Sequence, residues 1–165
     1  MTQRLVLLAF SLVVFTACGT VERWQEIQSG PMKVAEVSDA IEYIARSNGF
    51  APTPDADRGL GLYTSQWRSF VLPQGGAWRP GRFRLRVEIL LDKGSASEGF
   101  SIRFLVAQQK VKDLKRSKNP EERDWSDAGQ DQEREFFFGD ALQRRLVEVT
   151  PERSLNGKSA PETGK

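Results

Sequence analysis

Apolar and polar residues alternate without a break from Arg82 to Ile89. Phe83, Leu85, Val87 and Ile89 fall on one side, and Arg82, Arg84, Arg86 and Glu88 on the other. A period of two predicts a strand with one apolar and one wet face, and hence an antiparallel sheet covered on a single face. Phe100–Ala107 repeats the pattern, with Phe100, Ile102, Phe104 and Val106 inward and Ser101, Arg103 and Leu105 outward. The polar connection Asp92–Gly99, with its two glycines, predicts a hairpin joining these strands.

Elsewhere the period changes. Val37, Ala40, Ile41, Ile44 and Ala45 form one helical stripe within a predicted helix over Val37–Phe50. Ser38 is a suitable N-cap, Asp39 suits the first turn, and Asn48-Gly49 is a stop signal. Phe50 begins a short extended segment that Ala51–Asp55 breaks. A turn at Asp57-Arg58-Gly59 leads into a predicted strand over Leu60–Leu72, and Pro73–Gly81 has the composition of a loop. Asp131 caps a second helix running to about Val149. Phe138, Ala141, Leu142, Arg145, Leu146 and Val149 recur at helical spacing in it, although Gly139 weakens it. Two amphipathic helices need an apolar surface to cover. The expected fold is therefore α+β: a two-layer sandwich, with an antiparallel sheet of about four strands covered on one face by two helices. It occupies 37–149, between an aperiodic arm over 18–36 and a Ser-, Pro-, Gly- and charge-rich tail over 150–165 that reads as disordered.

The N-terminus carries an address. Arg4 precedes an eleven-residue apolar run, Leu5–Phe15, followed by small residues and Cys18. The run is too short to span a bilayer comfortably, and 1–17 matches a signal peptide. Phe15-Thr16-Ala17-Cys18 resembles a bacterial lipobox. It departs from the family at Phe15, where leucine is preferred. Phe15 also disfavours the rival cut after Ala17, because general signal peptidase wants small residues at the first and third positions. The resemblance implies a diacylglyceryl group on Cys18, the only cysteine of the chain. Gly19, where an aspartate would favour retention on the inner membrane, implies the outer membrane, facing the periplasm.

Composition narrows the chemistry. The 165 residues carry a formal charge of +2 and no histidine, which removes the usual general base and metal ligand. One cysteine leaves no intramolecular disulfide. Asp55 and Asp57 are explained as turn aspartates bonding their own backbone. Asp127–Glu133 lacks the residue order of a calcium loop, and Gly59-Leu-Gly61 the spacing of a phosphate loop. No metal, cofactor or catalytic residue is expected. Trp67, Trp78 and Trp125 either pin loops to the core or form a stacking platform. The run Lys110–Lys118 belongs to a solvated loop or presses on anionic headgroups. Arg82, Arg84, Arg86 and Arg103 are a solvated sheet face, or a site for an anionic partner such as a lipid headgroup, a cell-wall polymer or an acidic protein. The export signal argues against nucleic acid.

The order of helix, Asn48-Gly49-Phe50, turn, strand with Thr64 and Trp67, two alternating strands and closing helix resembles the helix-grip domains of small bacterial lipoproteins. A distant likeness extends to the lipoprotein C subunit of the outer-membrane β-barrel assembly machinery, which has two such domains and a longer N-terminal segment. The resemblance implies a membrane-anchored, non-enzymatic module that binds other envelope components. The alternative is a periplasmic carrier or sensor of an apolar or anionic small ligand held between helices and sheet.

Overall fold

The computed structural model describes residues 22–156, apart from Asp55, Arg58, Gly75 and Gly76. The signal segment, Cys18 and residues 157–165 lie outside the described residues, whereas 150–156, expected as the start of a disordered tail, continue the last helix. In chain order the elements are β1 (Gln25–Gln28), α1 (Val34–Ser47), β2 (Leu62–Thr64), β3 (Arg68–Gln74), β4 (Ala77–Ser95), β5 (Gly99–Val111), two short 3-10 turns, β6 (Trp125–Gln130) and α2 (Gln132–Asn156). The class is α+β. The sheet has six strands rather than the expected four or so, all antiparallel.

β4 and β5 form the centre, paired from Gly81–Lys110 to Leu90–Ser101. Each outer edge is then shared by two short strands. β2 and β3 both pair with β4, and β1 and β6 both pair with β5. The sheet is thus four strands wide, with its two flanks broken in the middle. That break separates the count of six from the expectation. The strand expected over Leu60–Leu72 is divided between β2 and β3 around Ser65. Ser65 is fully buried; its Oγ accepts the Leu85 N–H at 2.9 Å and donates to the Gln66 carbonyl at 3.0 Å. The expected Pro73–Gly81 loop is the tip of a β3–β4 hairpin. Pro80 is tolerated there because β4 has outrun β5 and pairs only with β3. The expected aperiodic arm contains β1, an edge strand too short and too polar to show a period.

One side of the sheet carries the core. Phe83, Leu85, Val87 and Ile89 of β4 and Phe100, Ile102, Phe104 and Val106 of β5 meet Val37, Ala40, Ile41, Ile44 and Ala45 of α1 and Phe138, Leu142 and Leu146 of α2. α1 begins before Ser38, with Lys33 at the N-cap position and its N–H donated to Glu36 Oε2 at 2.6 Å. Gly49 closes it at φ +78. Tyr63 is buried with its hydroxyl on the Phe50 carbonyl at 2.6 Å, and burial pushes its pKa up to about 12. Gly139 has a packing reason: a Cβ there would stand 2.7 Å from the ring of Phe104, so the helix approaches the sheet at a residue without a side chain.

The gap between β1 and β6 leaves the backbone of Val106 unpaired at the edge of β5. The start of α2 fills it. The Asp131 N–H donates to the Val106 carbonyl at 2.9 Å, and the Val106 N–H donates to Glu135 Oε1 at 2.9 Å. The Asp131 side chain also caps the helix, accepting the Arg134 N–H at 3.0 Å and Gln108 Nε2 at 2.6 Å. Glu135 is only 2% exposed, and burial raises its pKa against the hydrogen bonds from Val106 and Gln130. Between 4.5, the ordinary value, and the raised folded value, the folded chain holds a proton that the unfolded chain releases. Its contribution to stability therefore falls as pH rises through that window. Glu135→Gln keeps an acceptor for Val106 and removes the buried charge. Unfolding by urea across a pH series should find the variant equal to wild type below the window and more stable above it. A difference independent of pH would contradict this account.

Candidate functional site

The outward side of β4 and β5 is less wet than the alternation predicts. Leu105 and Val111 occupy outward positions of β5 by the pleat, yet both are fully buried. They are covered by side chains that arrive from far along the sequence. All four arginines expected on this side are brought together: Arg82, Arg84 and Arg86 in a row on β4, and Arg103 beside Glu88 across the β4–β5 pair.

Tryptophans interleave the row. Arg82 lies between Trp67 and Trp125, its guanidinium carbon 4.3 and 4.5 Å from the ring centres. Arg84 lies 4.5 Å from Trp67. Trp24, from the segment before β1, sits 5.0 Å from Arg86 and 4.8 Å from Arg103. A guanidinium is planar and weakly hydrated, so it stacks on an indole where an ammonium would keep its water. Trp67, between β2 and β3, and Trp125, at the start of β6, thus pack on the sheet through arginines rather than through the main core. Trp78 remains exposed. Trp24 docks the arm over 18–36 on the body, by stacking on Arg86 and Arg103.

The carboxylate partners are unevenly distributed. Glu122, in the second 3-10 turn (Glu122–Asp124), grips Arg82 with both oxygens, and Gln109 Oε1 accepts from Arg82 Nε at 2.8 Å. This pairing holds the Glu122 carboxyl below its usual range. Glu22 pairs with Arg86 at 2.8 Å. Glu88 accepts Arg103 Nε at 2.7 Å. Arg84 makes no salt bridge among the described residues, and its Nε is buried without a hydrogen bond. Burial, then the neighbouring charges of Arg86 and Arg82, hold its pKa below the usual arginine value against the smaller opposing pull of Glu122 and Glu22. Beside it opens a cleft of about 320 Å³, bordered by Glu22, Trp67, Arg84, Arg86, Leu105 and Asp127. A guanidinium in this setting offers a planar fork of donors to an incoming anion.

Other candidate groups have structural partners. Asp57 Oδ1 accepts the Gly59 N–H at 2.8 Å, and Asp127 Oδ1 accepts the Gly129 N–H at 2.8 Å; both hold turns. Asp55 lies outside the described residues. No cluster of three or more metal-ligating side chains occurs among the described residues. The Lys110–Lys118 run leads into the 3-10 turns, and Lys112 Nζ donates to the Arg123 carbonyl at 2.8 Å. A larger hollow, about 580 Å³, lies between α2 and β1. Ile27, Phe104, Phe136 and Gly139 line it, with Glu135 at its wall. Its three carboxylates are each engaged: Glu26 accepts the Ser101 hydroxyl, Glu135 the Val106 N–H at the edge of β5, and Asp140 pairs with Arg144. No protein-family model and no curated protein matches the chain.

Stacking and pairing make different demands on Arg82. Glu122 is largely exposed, so Glu122→Gln should cost under about 1 kcal/mol. Arg82→Ala empties the space between two indoles and strands Gln109, and should cost about 2 kcal/mol or more. Urea denaturation of the two variants checks this. Equal losses would mean that the ion pair, not the stack, holds the face together.

Proposed function

We propose that the chain is a lipid-anchored, non-enzymatic envelope protein whose helix-grip-like domain binds another envelope component through the arginine–tryptophan face of its sheet. The observation that carries this reading is Arg84. A guanidinium with a buried, unpartnered Nε between two other arginines is costly for a domain to retain, and an anion in the adjoining cleft offsets the like charges of its neighbours. The lipobox at Thr16-Ala17-Cys18 supports attachment to the membrane through Cys18, on the outer membrane facing the periplasm. No described helix is long and apolar enough to cross a membrane. The two helices packed on one side of the antiparallel sheet support the helix-grip likeness.

The carrier alternative would use the hollow between α2 and β1, and would show itself as a small molecule retained through purification. The anchor is tested by fractionation. Cys18→Ala should leave an unprocessed, unacylated precursor that no longer co-fractionates with the outer membrane. A variant distributed like wild type would rule the anchor out.

A further inference from the structure

The outward side of β4 does not end at Arg82. The pleat carries the same side through Pro80 to Trp78, and β3 sets Val71 opposite Pro80. Trp78 is 70% exposed and Val71 55%. At the other end β2 sets Leu62, 41% exposed, opposite Glu88. One face about 30 Å long therefore combines three consecutive outward arginines with an exposed indole and two exposed aliphatic side chains.

That combination matches a phospholipid surface. Indoles settle at the level of the headgroups, guanidiniums take phosphate oxygens in pairs, and flanking aliphatic groups enter the acyl boundary. The covalent path points to the same side. Glu22, at the border of the Arg84 cleft, is four residues from Cys18, a span of at most about 14 Å. An acyl group on Cys18 therefore sets the bilayer beside this face. Glu22 already shows how an acidic oxygen is held here, on Arg86.

We infer that the outward sheet face docks on anionic phospholipid of the leaflet that holds the anchor. A headgroup phosphate binds Arg84 in the cleft, Arg86 exchanges Glu22 for lipid, and Trp78 lies among the headgroups. The inference rests on the Cys18 anchor proposed above.

The test uses the full lipidated protein reconstituted into vesicles of phosphatidylcholine, with or without phosphatidylglycerol. Acyl chains brominated close to the headgroup quench tryptophan fluorescence, and mass spectrometry of the same preparation reads the acyl group. Quenching should appear with phosphatidylglycerol, fall as salt is raised, and be largely lost in Trp78→Phe. Arg84→Gln should lower the ratio of docked to undocked protein about fivefold, the equivalent of one basic residue at an anionic surface. Glu22→Gln, at an exposed position, should raise it. Quenching that ignores phosphatidylglycerol, or that neither Arg84→Gln nor Glu22→Gln changes, overturns the docking while leaving the anchor intact. Crosslinking of this face to an acidic protein without lipid quenching overturns it in favour of a protein partner. Absence of the acyl mass overturns the anchor, and the docking with it.

Discussion

A central pair of strands has two faces, and both must be covered by something. β4 and β5 occupy the middle of the sheet, and β4 alternates phenylalanine and aliphatic residues with arginine. One face is answered in the ordinary way, by the apolar stripes of two helices. The other presents cations that water alone would solvate. Instead it recruits three tryptophans and two glutamates from other segments, with Glu88 of β4 itself pairing Arg103. Stacking retains the charge while excluding water from the stems, so Leu105 and Val111 can be buried beneath it. The arrangement is a second, smaller core with charged members.

The same frame explains how distant parts of the chain converge. The break between β1 and β6 leaves Val106 without a strand partner, and α2 docks its first turn there through Asp131 and Glu135. Gly139 then lets the helix close onto Phe104. Gln130, next to that junction, brackets the backbone of Arg23 with both ends of its amide, at 2.8 and 2.9 Å. The segment carrying Glu22 and Trp24 is thereby laid along the arginine row.

The parts legible in the chain are those whose own side chains state their surroundings. The alternation of Phe83–Ile89 and of Phe100–Val106, the stripe on α1, the stop at Gly49 and the cap at Asp131 all correspond to observed elements. The four arginines do share one face. What was not legible depends on partners far away. β1 is a strand because Ile102 and its neighbours offer it an edge, and the Pro73–Gly81 segment is a hairpin because β3 pairs with it despite its glycines and proline. The role of Trp24 required knowing that the arm lies over Arg86 and Arg103. The inequality among the four arginines, with Arg84 alone lacking a salt bridge among the described residues, was invisible in a row of identical residues.

That inequality is the basis of the functional account. Arg82 and Arg103 are built into the fold and Arg86 is paired with the exposed Glu22, whereas Arg84 is held in position without a salt bridge among the described residues. If it is retained for a partner, the isolated protein should be no worse without its charge. Arg84→Met keeps most of the stem, removes the repulsion from Arg82 and Arg86, and leaves Trp67 stacked on Arg82. The most direct measurement is the urea unfolding midpoint of Arg84→Met against wild type, without lipid. The account predicts an unchanged or higher midpoint. A loss of about 1 kcal/mol or more would show that Arg84 is structural and contradict the assignment of this face as a binding site.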